Sequence, residues 1–279
     1  MNIKIITDST ADLPAELAKE FGIKVVPAYL RFGDTVYRDR INFTDDEFYE
    51  KMLDGAVYPV TEPAIPDDFA NAYQETNREA DGIISVHISG KISATCNAAL
   101  MGKKIANVDC PIEVIDSTSI SMGLGLLSIA AAEAARSANS FAEAVDQIRR
   151  MVPGLKMLGF FDSVKYLARG GRINRTAAFF GSVLNIKPML TTKNGEIEPA
   201  GHINRRNTGI QRLYQFADNT CNIEDAAVVY STAHAEAQEV AEHMRKMGSV
   251  KRVYLAKMGP IIGAHGGPGA LLVAVRTKT

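Results

Sequence analysis

Four short stretches place hydroxyls just beyond apolar runs: "TDST" (7 to 10), "VTEP" (60 to 63), "ISGKISAT" (88 to 95) and "DSTSISMG" (116 to 123). Neutral hydroxyl donors at strand ends suit a carboxyl group or another polar head, because they satisfy it without burying a permanent countercharge. Asp8, Thr61, Ser93, Thr95, Ser117 and Ser121 are the candidates. Any one of them alone reads as a helix N-cap, the commonest use of Ser, Thr and Asp. Four such turns together are expected to face one crevice, since doubly wound sheets gather their ligand site at the carboxyl ends of the strands.

Two glycine-rich stretches add further chemistry. "YLARGGRI" (166 to 173) reads as a short helix ended by Gly170 and Gly171, with one of Arg169 and Arg172 able to turn into a cleft while the other stays solvated. "GPIIGAHGGPG" (259 to 269) reads as a tight turn that lodges one imidazole, His265, against a ligand or partner. Other catalytic templates are missing: the chain has neither G-x-x-x-x-G-K-[ST] nor G-x-S-x-G, and its five histidines form no close ligand pair. No metal or cofactor is expected.

The elements that must position these residues follow from periodicity. "IKIIT" (3 to 7) and "IKVVPAYL" (23 to 30) read as buried strands around a helix, and the pattern recurs through "DGIISVHI" and "PIEVID". Two long helices, "SMGLGLLSIAAAEAARS" and "SFAEAVDQIRRMV", precede a break at Pro153-Gly154. Beyond it the order is mixed, with a hairpin expected at Asn194-Gly195. The fold class is therefore α/β: an N-terminal parallel-sheet domain (1–153) and a C-terminal mixed-sheet domain (154–279), with the ligand site near their interface.

Composition narrows the partners. With 279 residues, 46% apolar and 23% charged, the chain is an ordinary globular protein, and 31 basic against 32 acidic side chains give no footprint for nucleic acid. No stretch approaches the roughly 18 to 20 apolar residues of a membrane span. Three cysteines without a C-x-x-C pair fit reduced thiols, so a cytoplasmic location is expected.

Taken in order, "IITDSTADLP", "VTEPAIPDDF", "ISGKISATCNAA", "VIDSTSISMGLG", "YLARGGRI", "IKPML" and "GPIIGAHGGPG" resemble the DegV family end to end. These are bacterial fatty-acid-binding proteins that serve as the lipid-carrying subunit of fatty acid kinase. The resemblance implies a fatty acid in a tunnel, its carboxyl group bound by Thr61 and Ser93, with His265 and Arg172 beside it. It further implies presentation to a separate ATP-dependent kinase subunit that makes an acyl phosphate for phospholipid synthesis, so the chain itself would be non-catalytic. "EPAI" at 62 to 65 departs from the family's polar pattern after Thr61, and Ala94 and Cys96 replace a usual glycine and aromatic. The alternative is an enzyme using His265 on a small carbonyl or acyl substrate, since the fold also resembles dihydroxyacetone kinase substrate domains. A binder of another amphipathic ligand is the third reading. Candidates for the tunnel lining are Ile92, Met101, Leu124, Leu127, Phe160, Phe161, Phe179, Phe180, Leu184 and Met189.

Overall fold

Strand β1 (Ile3–Asp8) is almost entirely buried, and its parallel partners β2 (Ile23–Val26) and β6 (Gly82–His87) lie on either side of it. In our computed structural model, which describes residues 1–55, 57–172 and 187–278, β7 (Ile112–Asp116) completes an all-parallel sheet of order β2-β1-β6-β7. Such a sheet needs cover on both faces. Helices α3 (Pro66–Asn77) and α4 (Thr95–Ala106) cover one face through Phe69, Tyr73 and Ala99. On the other lie α1 (Ala15–Phe21), α5 (Ser121–Ser137) and α6 (Phe141–Met151). The expected candidates Phe179, Phe180 and Leu184 lie outside the described residues.

"IKVVPAYL" is not one strand. Pro27 lacks the N–H a continuous ladder needs, so the segment breaks after Val26, and β3 (Tyr29–Phe32) joins β4 (Thr35–Arg38) and β5 (Val60–Glu62) in a separate antiparallel sheet. The second large sheet has the order β10-β9-β8-β13-β11-β12, and only β11 (Ile223–Tyr230) with β12 (Arg252–Lys257) is a parallel pair. Its β8 (Leu155–Phe160) and β13 (Leu271–Thr277) pack with β11 against α5. One apolar cluster thus runs from Ile84 through Leu127 to Val229 and Leu272. Helix α5 can lie between two sheets because it is apolar all round, with fourteen of its residues buried.

The hairpin of β9 (Lys187–Lys193) and β10 (Glu196–Ile203) turns at Asn194 (φ 51°) and Gly195 (φ 78°), as a type I′ turn requires. Its tip reaches the N-terminal half: the Ser89 hydroxyl donates to the Gly195 carbonyl at 2.6 Å. Helices α7 (Val164–Arg169), α8 (Arg206–Asp218), α9 (His234–Lys246) and α10 (Pro260–Gly266) complete the second half. Among the described residues no helix is long and apolar enough to cross a membrane.

Candidate functional site

His265 sits in a helix, not in the tight turn expected from its glycines. Pro260 occupies the first helical position, where its missing N–H costs nothing, and Ile261 and Ala264 bury one face against Phe48 and Tyr49. Only after Gly266 does the chain turn, with Gly267 at φ 75°. Four bonds from the N-terminal half hold this helix and its approach. Asp12 accepts from Gly259 N–H at 2.8 Å, Arg40 donates to the Lys257 carbonyl at 2.9 Å, Tyr49 to Met258 at 3.1 Å and Tyr58 to Ala264 at 2.6 Å.

The imidazole is thereby aimed at β5, where its Nε2 lies 2.9 Å from the Thr61 hydroxyl. Its Nδ1 is buried and has no hydrogen-bond partner among the described residues. Gly170 lies against that atom so closely that any Cβ there would collide with it. Because an orphaned buried N–H is rarer than an orphaned acceptor, we assign the proton to Nε2, which donates to Thr61. The Thr61 O–H is then left to donate to a ligand. Burial, and secondarily the charge of Arg172, push the His265 pKa down to about 4, so the ring is neutral at ordinary pH.

Thr61 and His265 open onto a polar pocket of about 360 Å³ that also takes in Thr10, Lys91, Ser93, Thr95 and Arg172. The Ser93 hydroxyl accepts from Thr95 N–H at 3.2 Å and lies 2.8 Å from the Thr95 hydroxyl, so the start of α4 sets its orientation. Arg172 is exposed and donates to the Gly170 carbonyl at 2.6 Å. Beyond this pocket lies an apolar cavity, lined by Ile92, Ile120, Phe161, Leu190, Ile197 and Leu272 among others. Ile92, Arg172, Ile262 and His265 line both spaces, which places them where the polar and the apolar part adjoin.

The structure brings Thr61, Ser93, Thr95, His265, Arg172, Ile92 and Phe161 to these two spaces. Other candidates go elsewhere. Asp8 is wholly buried behind Thr10 and accepts from its backbone N–H at 3.1 Å. Ser117 folds back within its own turn, accepting from Ser119 N–H at 3.1 Å, and Ser121 donates to Asp12 at 2.5 Å. Phe160 and Met189 face the opposite side of the sheet, in the cluster under α8, because neighbouring strand residues point to opposite faces. Leu124 and Leu127 are plain core, while Met101 is 47% exposed. Sequence reasoning passed over Thr10, Lys91 and Ile262, and in the apolar space Ile120, Leu190, Ile197 and Leu272. Thr10 and Ile262 lie in quoted motifs, two residues from Asp8 and three from His265, but nothing in one sequence says which side chains of a motif face the pocket.

Among the described residues no group of three or more His, Cys, Asp or Glu is placed to hold a metal ion.

Known proteins are similar to this chain over its whole length. A DegV domain-containing protein of Streptomyces coelicolor is 32% identical over 281 residues, covering 99% of each chain. A solved structure of a DegV family protein of Thermus thermophilus, described as fatty acid binding, superposes with a TM-score of 0.89 at 30% identity and covers all of both chains. A stearic acid-binding protein of Eubacterium ventriosum superposes with a TM-score of 0.89 at 26% identity, covering 99% of this chain and 98% of its own. With the DegV family model, described as uncharacterised proteins, matching residues 2–278, the chain belongs to the DegV family.

Proposed function

We propose that the protein binds a long-chain fatty acid, with its tail in the apolar cavity and its carboxyl group in the polar pocket, and presents that group to a separate ATP-dependent kinase subunit. The observation that carries this reading is that Ile92, Arg172, Ile262 and His265 line both the polar and the apolar space. An amphipathic ligand with one polar end fits such a divided volume. Burying about fifteen methylenes at roughly 0.8 kcal/mol each would gain on the order of 12 kcal/mol before ordering costs, so the tail can supply the affinity. The head then needs only orientation, from the hydroxyls of Thr61 and Ser93. Arg172, exposed where the two spaces adjoin, and His265 are the groups a partner would meet beside the head. In this division of labour the chain performs no chemistry itself. The fatty-acid-binding relatives of the same fold support the ligand class.

The test is direct. Denaturing the purified protein and extracting it into organic solvent releases a fatty acid at a one-to-one ratio, read by mass spectrometry. Protein that comes up empty and also fails to take up added palmitate would sink the carrier reading.

A further inference from the structure

Behind the polar pocket runs a chain of buried hydrogen bonds that the binding reading leaves unused. Tyr73 donates to Ser85 at 2.9 Å, the Ser85 hydroxyl meets His87 Nε2 at 2.6 Å, and His87 Nδ1 meets Asp8 Oδ2 at 2.9 Å. All four side chains are fully buried. An Asp, a His and a Ser in this order suggest a nucleophilic triad, but the Ser85 oxygen is closed in by Tyr73 and by the helices over the sheet, with no path to a substrate.

The directions of the bonds show what the chain does instead. Tyr73 has one proton, which goes to Ser85 at 2.9 Å rather than to the Ala99 carbonyl at 3.5 Å, so Ser85 gives its own to His87 Nε2, and His87 donates from Nδ1 to Asp8. Asp8 also accepts from Ile88 N–H at 3.3 Å and from Thr10 N–H at 3.1 Å, which fixes it as the acceptor for the Thr10 hydroxyl as well. The Thr10 proton is therefore committed inward, and only the lone pairs of its oxygen remain for the pocket that Thr10 lines.

The head of the site then offers a hydrogen from Thr61, the Ser93 hydroxyl and an acceptor at Thr10. A carboxylate has no hydrogen to give that acceptor, whereas a neutral carboxylic acid has two acceptor oxygens and one O–H. We infer that Thr10 is a further headgroup-binding residue, which accepts the acid hydrogen of a fatty acid held in its neutral form. This rests on the carrier reading above and deepens it. The charged and titratable groups around the head are His265 from α10, Arg172 after α7, Lys91 before α4, Glu62 from β5 and, buried behind Thr10, Asp8 from β1. Arg172, Lys91 and Glu62 are exposed and of mixed sign, so solvent screens their pull on the head. A neutral head is also inert toward a phosphoryl donor until its proton has gone, so the carrier stores its cargo unreactive.

Palmitate carrying carbon-13 at the carboxyl carbon is the probe, read by NMR on the full chain. The bound resonance is expected at the neutral-acid position and stays there from about pH 6 to about pH 9, where free carboxylates are ionised. Proton uptake by His265 would leave the carboxyl resonance at the ionised position, so the two sources separate. Thr10→Val is expected to move the resonance to the ionised position or weaken binding about tenfold, and Thr10→Ser to restore it. A bound resonance at the ionised position in the wild type overturns the inference and leaves the carrier reading standing. Absence of any bound resonance removes both.

Discussion

The Tyr73, Ser85, His87 and Asp8 chain on the parallel sheet has a hydrogen-bond partner for every side chain, whereas the cluster of Asp12, Asp39, Arg40 and Asp45 at the joint of the two halves leaves the Asp39 oxygens without a well-formed bond among the described residues. In the second cluster Arg40 holds Asp45 with two bonds of 3.0 Å and reaches the carbonyls of Leu13 and Lys257. Asp12 lies 4.0 Å from it, and neither oxygen of Asp39 has a well-formed hydrogen bond among the described residues, although the Ser9 hydroxyl lies beside it. Burial pushes both Asp12 and Asp39 up to about 7, against the opposing pull of Arg40. Backbone strain gathers here too: Asp12, Arg40 and Ser121 have φ of 50°, 56° and 50°, a region that side chains with a Cβ seldom occupy. The satisfied chain fixes a geometry at little cost, while the unsatisfied cluster costs stability and holds the approach to α10, the helix that aims His265.

That contrast can be broken most forcefully at Arg40. Arg40→Ala removes the one cation among these buried carboxyls and should cost about 3–5 kcal/mol in urea unfolding. A loss below about 1 kcal/mol would mean that the carboxyls are already neutral and do not need it.

Asp39→Asn should go the other way, and only at higher pH. The pKa of Asp39 is raised from an ordinary 3.8 to about 7 in the folded state, so the native protein holds a proton that the unfolded chain has released. Stability is therefore greatest below about pH 4, falls as pH rises toward about 7, and stays reduced above it. The variant escapes that penalty and should gain on the order of 2–4 kcal/mol at about pH 8, with little change at about pH 4. Equal stability of the two proteins at about pH 8 would remove Asp39 as the source of strain.

Tyr73→Phe sharpens the comparison from the satisfied side with the smallest effect. Losing one donor while the Ser85 to His87 bond remains should cost about 1 kcal/mol and leave the pH dependence of unfolding unchanged. A larger loss, or a new pH dependence, would show that the chain is itself under tension.

Much of the fold was legible because local rules dictated it. The bounds of α5 follow the run "SMGLGLLSIAAAEAARS", and Asn194-Gly195 turns as a type I′ hairpin because both residues tolerate positive φ. The site was legible in part, since the hydroxyl turns carrying Thr10, Thr61 and Ser93 do meet in one pocket. The fourth turn does not, and its Ser117 and Ser121 hydroxyls bond within the protein. Alternation along β8 says that Phe160 and Phe161 differ, but not which of them faces the cavity. That sign depends on which side of the sheet α5 covers.

By itself, then, the sequence determined which residues can sit at strand ends, where the chain must turn, and that its hydroxyls outnumber the charges suited to gripping a ligand. Only the tertiary structure decided that Pro27 sends β3 into a separate sheet, that His265 rides on a helix, and that a glycine at 170 makes room for its ring. Each of these turns on contact between segments far apart in the chain: Thr61 with His265, Asp12 with Gly259, Gly170 with an imidazole 95 positions on. Periodicity and turn chemistry act over a few residues, and no such local rule can specify which distant neighbour fills the space beside them.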